Sequence, residues 1–213
     1  VLMCLMDAAA VRSTVFGEHG LAAAGRAGIR ARCLVDHSSI RPDATRDLAQ
    51  TLQARCGLEW VDAPVSGGIA GAAAGTLAIM CGGAQAAFDA ARPVLAAYAA
   101  NITHMGPVGA GQTTKLINQV LVGSAIATIA EAVSLAQAAG IDAGALPRAL
   151  AGGWADSRPL QVFVPRMVDG YDTPIGAINT MLKDLDTALD LARESNAPLP
   201  MAAHAQQLLR LMV

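Results

Sequence analysis

Short apolar runs alternate with helical stretches along the first half of the chain. VLMCL (1–5) and ARCLVDHS (31–38) read as strands. A helix opens near Pro42, where proline at the first turn and Asp43 beside it both suit a helix N-terminus. LEWVDAP (58–64) reads as a further strand, ended by Pro64. SGGIAGAAAG after it reads as a Gly/Ala-rich turn, and TLAIMCGG (76–83) as another apolar strand. Residues 84–97 read as a helix and NITHMG (101–106) as a last short strand. Strand–helix alternation of this kind predicts a mainly parallel sheet with helices packed on it.

The pattern changes at the breaker cluster GPVGAG (106–111), after which helical periodicity replaces strand-like runs. Gln112 to Ala139 reads as one helix of about 28 residues, roughly 42 Å long. Gly140 suits its C-cap, and Asp142 opens the next helix. Further helices are expected at 143–151, 158–168, 179–195 and 201–212. The fold class expected is α/β followed by all-α. Within the long helix, Leu116 to Ala130 carries no charge. That run of about 15 falls short of the roughly 20 residues a membrane span needs, so a buried helix and no membrane are expected. Small residues (Gly123, Ser124, Ala125, Ala127, Ala130, Ala132) admit a second helix closely, which points to burial in a homodimer.

Composition narrows the function classes. Hydrophobic residues make up 54% of the 213, enough for a sizeable core. The 15 basic and 17 acidic side chains give a net charge of −2, with no excess to neutralise phosphates. Together with an aromatic content of 3%, this argues against nucleic acid as a partner. Cys4, Cys33, Cys56 and Cys81 form no C-x-x-C pair and read as free thiols of a reducing cytoplasm. Val1 starts directly in an apolar strand with no charged leader and no initiator Met, so the chain is expected to continue upstream.

Three segments carry candidate chemistry. In Asp62-Ala63-Pro64-Val65-Ser66-Gly67-Gly68, a strand ends in proline and is followed by a hydroxyl and glycine N–H groups at the sheet's ligand-binding edge. Such a nest of donors suits a carboxylate or a phosphate. In Gly109-Ala110-Gly111-Gln112-Thr113-Thr114-Lys115-Leu116-Ile117-Asn118-Gln119, the glycines turn the chain into the long helix. Lys115 falls within its first two turns, with Asn118 and Gln119 at i+3 and i+4 on the same face. A cation there opposes the helix dipole, which speaks against a purely structural lysine. Lys183-Asp184 lies in MLKDLDTALDLA, by itself an ordinary charged helix face. His37 and His104 lie at strand ends and read as turn hydrogen-bonders; His19 and His204 have no clustered partners. No H-E-x-x-H, G-x-S-x-G or Cys-His pairing supports a hydrolase or a metal site.

Taken together, DAPVSGGIAGAAAG, GAGQTTKLINQ, DHSSIRP, EAVSLAQAAGID and MLKDLDTALDLA resemble the 3-hydroxyacid dehydrogenase family, which includes 3-hydroxyisobutyrate dehydrogenase and tartronate semialdehyde (2-hydroxy-3-oxopropionate) reductase. The resemblance implies the C-terminal part of a Rossmann-type parallel sheet with helices at 1–108. At 109–213 it implies a helical substrate and dimerisation domain built on one long helix, the active site lying in the cleft between the two. It implies NAD or NADP as cofactor, a small carboxylate substrate, and a homodimer or homotetramer formed through the long helix. Ser66, Gly67 and Gly68 match the binders of the substrate carboxylate, and Lys115 the catalytic lysine. Asn118 and Gln119 match the amide position that faces substrate, with which of the two does so left open. Asp184 lies near the catalytic centre. Ser39 matches a residue at the nicotinamide end of the cofactor, and Lys183 one that closes over it. A Phe that some relatives carry eight residues before that Asp is Gly176 here. The family's N-terminal G-x-G-x-x-G does not occur, so the chain begins at what resembles the fourth strand of the sheet.

The chemistry these residues imply is hydride transfer between a small 3-hydroxy acid and its semialdehyde or 3-oxo acid, with Lys115 as general acid/base. An oxidative decarboxylase of the 6-phosphogluconate type shares the glycine–lysine layout, but no basic cluster suits a sugar phosphate. Imine reductases commonly lack the lysine. A non-catalytic dimerisation or binding module that keeps the fold is the alternative from a different class.

Overall fold

The computed structural model of the chain describes residues 1–171 and 173–213. They form two compact units, Val1–Leu116 and Ile117–Val213.

In the first unit the strand-like runs pair into one six-stranded sheet. β1 (Leu2–Met3), β2 (Cys33–Asp36) and β3 (Glu59–Asp62) run parallel, with Asp36 in register with Met3 on one side and Asp62 on the other. The strand then breaks at Ala63-Pro64. β4 (Val65–Ser66) continues beyond the break, pairing antiparallel with β5 (Leu77–Gly82), Val65 opposite Ile79 and Ser66 opposite Ala78. β3 itself meets β5 antiparallel at Asp62 and Gly82. β6 (Ala99–Gly106) completes the sheet parallel to β5. The sheet is therefore parallel-rich but mixed. The connection at 67–76 is too short for a parallel return, which takes about a dozen residues or more, so β5 runs back along β4.

Residues 66–75, expected to form a turn, contain a helix, α4 (Gly68–Ala74). Gly67 (φ 130°) and Gly68 (φ 61°) reverse the chain, the Ala-rich stretch propagates a helix, and left-handed Gly75 (φ 67°) stops it. The glycines that mark both ends hide the helix between them. A second helix not anticipated from the pattern is α1 (Ala8–Phe16), capped by the Asp7 carboxylate accepting from the Ala10 N–H at 2.8 Å. A 3-10 turn (Leu21–Ala24) and a single helical turn, α2 (Gly25–Gly28), follow.

Alternation along the strands sends Leu34 and Trp60 to one core and Cys33, Val35 and Val61 to another. The first core is closed by Val11 and Val15 of α1 and by Leu48 and Leu52 of α3 (Pro42–Cys56). The second is closed by Ala87, Phe88, Ala91 and Leu95 of α5 (Gln85–Leu95). Helices thus cover both faces of the sheet, as parallel strands require.

α6 (Ala110–Ala138) begins in the first unit and continues into the second. The second unit adds a 3-10 turn (Ala143–Ala145), α7 (Leu146–Leu150), α8 (Arg158–Asp169), α9 (Ile178–Glu194) and α10 (Pro200–Arg210). No strand follows β6 among the described residues. Ile129, Val133 and Ala136 of α6 pack with Leu160 and Val164 of α8, while Leu185 and Leu189 of α9 pack with Ala202 of α10. α6 exposes Ile117, Leu121 and Leu135. By length and composition it could cross a membrane, a test that the core helix of a globular protein also passes. All four cysteines are free thiols, Cys4 exposed and the other three buried.

Candidate active site

The chemistry-bearing segments of the first unit meet around one buried carboxylate. Asp62 ends β3 with no exposed surface. Its Oδ1 accepts from the Gly109 N–H at 2.8 Å and its Oδ2 from the Gln112 N–H at 2.9 Å. Asp62 thereby caps α6 from outside the helix, satisfying donors that have no partner within it. Burial pushes its pKa up, against the pull of these amide hydrogen bonds. Two glycines make room for the contact. A Cβ on Gly111 would lie 2.4 Å from the Met80 carbonyl oxygen and 2.6 Å from that of Asp62; one on Gly82 would lie 2.6 Å from Asp62 Oδ1.

Gln112 extends the arrangement to β2. It is 1% exposed, donates from Nε2 to the Ser38 carbonyl at 2.7 Å, and accepts at Oε1 from the Ile40 N–H at 3.3 Å. Its amide spans the two peptide groups that flank Ser39, which is half-buried. The Ser38 hydroxyl accepts from the Leu5 N–H at 2.9 Å, bringing the exit of β1 to the same place. His37 donates from Nδ1 to the Ala63 carbonyl at 2.5 Å, and its Nε2 accepts from the Tyr98 hydroxyl at 2.8 Å. Burial lowers its pKa, consistent with the neutral ring these contacts need. His104 donates to the Gly83 carbonyl at 2.8 Å and stacks on Phe88. Both histidines hold turns, in keeping with their place at strand ends.

Lys115 lies on the second turn of α6, half-buried, and donates from Nζ to the Val65 carbonyl at 2.8 Å. The ammonium group is thus held beside Ser66 at the strand break. Ser66 is half-buried and Gly67 and Gly68 are exposed; the side of Gly68 where a Cβ would project is open.

In the second unit the other candidates form a chain of contacts. Asn118 donates from Nδ2 to Gln119 Oε1 at 2.8 Å, and Gln119 donates from Nε2 to Asp184 Oδ2 at 2.8 Å. Lys183 Nζ lies 3.4 Å from Asp184 Oδ1. Gln119 is buried, Asn118 half-buried and Lys183 exposed. Asp184 falls on the buried face of α9, not on the ordinary charged face its sequence context suggests. Gly176 precedes α9 in the loop and is exposed. Among the described residues, no group of His, Cys, Asp and Glu could hold a metal ion.

Sequence reasoning assigned no role to Asp62, Gln112 or Asp36. The first two lie inside the segments singled out, and their signal is a polar residue of fixed reach set among glycines and apolar neighbours. Asp36 is fully buried in β2, accepts at Oδ1 from the Ser38 N–H at 2.9 Å, and leaves Oδ2 with no hydrogen-bond partner. Burial, aided by the nearby Asp62 charge, raises its pKa to about 6.

A parallel-rich sheet whose β2 and β3 end side by side at Asp36 and Asp62, followed by a helical domain, is a layout in which nicotinamide-dependent oxidoreductases hold their cofactor at the strands' carboxyl ends. Residues 1–106 match the family described as the NAD binding domain of 6-phosphogluconate dehydrogenase. Residues 109–213 match the one described as NAD-binding of NADP-dependent 3-hydroxyisobutyrate dehydrogenase. The chain is 38% identical over 208 residues to the 2-hydroxy-3-oxopropionate reductase of Escherichia coli K12, covering 98% of this chain and 70% of that protein. It is 37% identical over 209 residues to the L-threonate dehydrogenase of Cupriavidus necator, covering 98% and 69%. The crystal structure of 3-hydroxyisobutyrate dehydrogenase from Salmonella typhimurium superposes with a TM-score of 0.85 at 33% identity, over 98% of this chain and 72% of that one. The chain belongs to the 3-hydroxyacid dehydrogenase family, whose members are NAD(P)-dependent oxidoreductases.

Asp36 yields a test of the site's electrostatics. A carboxyl whose folded pKa rises from 3.8 to about 6 stabilises the fold fully below about pH 4, and that contribution is lost as the pH rises through about 6. The loss amounts to about 3 kcal/mol. Asp36→Asn is expected to remove this component, so the stability difference between wild type and variant changes across that window. Denaturant unfolding over a pH series measures it; parallel pH profiles for the two proteins would show that Asp36 does not titrate in this way.

Proposed function

We propose that this protein interconverts a small 3-hydroxy acid and its semialdehyde or 3-oxo acid using NAD or NADP, with Lys115 as the general acid/base. The observation that carries the reading is the Lys115 ammonium 2.8 Å from the Val65 carbonyl, beside Ser66, on a helix whose start is pinned by Asp62 to the strand just before the break. The similar proteins named above act on 2-hydroxy-3-oxopropionate, L-threonate and 3-hydroxyisobutyrate, all small carboxylates bearing a hydroxyl or carbonyl.

The β1, β2 and β3 ends suit the nicotinamide end of the cofactor: three parallel strands finish side by side at Met3, Asp36 and Asp62, with Leu5, Ser39 and Ala63 in the segments just beyond. Ser39 is assigned to that end, and Lys183 is assigned to cofactor binding. When bound, the cofactor carries the hydride. The chain's own residues do the rest. The Ser66 hydroxyl and the N–H groups of Gly67 and Gly68 hold the substrate carboxylate. The Val65 carbonyl orients the Lys115 amine. In reduction Lys115 gives a proton to the carbonyl oxygen as hydride reaches its carbon; in oxidation the neutral amine takes the hydroxyl proton. Asn118, Gln119 and Asp184 are assigned to substrate binding, and their continuous hydrogen bonding supports treating them as one group.

Residues 109–213 are read as the substrate and dimerisation domain of a homodimer or homotetramer. Exposed Ile117, Leu121 and Leu135 on α6 would be covered by a second copy. Light scattering should give the mass of two or four chains; a monomer at micromolar concentration would refute this.

In the full-length protein, Lys115→Ala should lower kcat by at least about a hundredfold while cofactor affinity stays within a few-fold. NAD(P)H formation over a panel of small 3-hydroxy acids, with calorimetry for the cofactor, measures both. Turnover near the wild-type rate would overturn the assignment.

A further inference from the structure

We propose that Gln112 is a positioning residue for hydride transfer: it fixes the Ser38–Ile40 backbone, and with it Ser39, relative to Lys115 on the next turn of α6. The inference rests on the roles given above to Ser39 and Lys115.

Three hydrogen bonds meet at this residue. Its backbone N–H is held by Asp62 Oδ2 at 2.9 Å, its Nε2 donates to the Ser38 carbonyl at 2.7 Å, and its Oε1 accepts from the Ile40 N–H at 3.3 Å. The side chain is 1% exposed and its amide engages both sides of Ser39. Start of helix, strand end and serine segment are thus joined through one residue. The start of α6 is already held by Asp62 through Gly109 and the Gln112 backbone, so the side-chain amide is not needed to begin the helix. An apolar side chain of similar length would fill the same space. What the amide adds is a donor and an acceptor placed to grip two successive peptide groups, which fixes the Ser39 segment in both distance and rotation. Misplacement of reacting groups by about 1 Å costs on the order of a hundredfold in rate, so a brace of this kind acts on catalysis without touching substrate.

Gln112→Met in the full-length protein keeps side-chain length and helix propensity but leaves the Ser38 carbonyl and the Ile40 N–H without their partner. The expected result is a fall in kcat per active site of about ten- to a hundredfold, with KM for the hydroxy acid changed far less. The primary deuterium isotope effect, read with substrate deuterated at the carbinol carbon, should rise as hydride transfer becomes slower than the other steps. A merely structural role would lower the melting temperature and the active fraction but leave both readouts unmoved. Gln112→Glu is the second variant, available if the Met variant does not fold. Its protonated carboxyl donates to Ser38 and accepts from Ile40, so its rate relative to wild type should recover as the pH is lowered. A folded Gln112→Met with wild-type kcat and isotope effect, or a Gln112→Glu whose rate ratio is the same at every pH, overturns the proposal. If Lys115→Ala abolishes turnover while these variants behave as wild type, this inference alone fails. If Lys115→Ala stays active, the reading beneath it fails instead.

Discussion

The Asp62 carboxylate, buried at the end of β3, is the constraint around which the first unit is arranged. Two oxygens on a strand end accept two N–H groups at the start of a helix, the first of them 47 residues on at Gly109. Breaking either bond would leave a buried carboxylate oxygen and a buried N–H group under-satisfied, which costs more than an ordinary hydrogen bond contributes. The contact dictates glycine at 82 and 111, where a side chain would enter the space of Asp62 itself. It also decides which residues of α6 face the strand break. Lys115 then reaches the Val65 carbonyl, and Gln112 reaches the segment around Ser39.

The second unit uses a different device for a related end. Gln119 and Asp184 are both buried, and each satisfies the other. With Asn118 on one side and Lys183 on the other, four polar side chains form a line in which the buried members are the inner two. Of the two amides, Gln119 is buried and bonded to Asp184, and Asn118 is the less buried. A buried Asp–Gln pair in an otherwise apolar interface between α6 and α9 favours one register of those helices over others.

Much of the fold was legible because its elements obey strong local rules. Pro42 with Asp43 starts α3, Gly140 ends α6, Asp142 caps the turn after it, and strands 33–36, 59–62 and 77–82 are short apolar runs bounded by breakers. What was not legible depended on distance in sequence. Gly67, Gly68 and Gly75 look like a turn because glycine frees the backbone, yet Ala-rich residues between them complete a helix. The antiparallel return of β5 follows from the shortness of its connection, which an apolar run does not reveal. Lys115, Ser66 and Asp184 stood out by motif. Asp62 and Gln112 did not, because their partners lie 47 to 74 residues away and only the folded chain brings them together.

The central claim is that Lys115 handles the proton at the reacting oxygen. It is tested most directly by a crystal structure of the full-length protein with NAD(P) and an unreactive small hydroxy acid. The account predicts Lys115 Nζ about 3 Å from the hydroxyl oxygen, with the carboxylate on Ser66, Gly67 and Gly68. Lys115 held away from the substrate on the Val65 carbonyl, with another side chain at that oxygen, would contradict it.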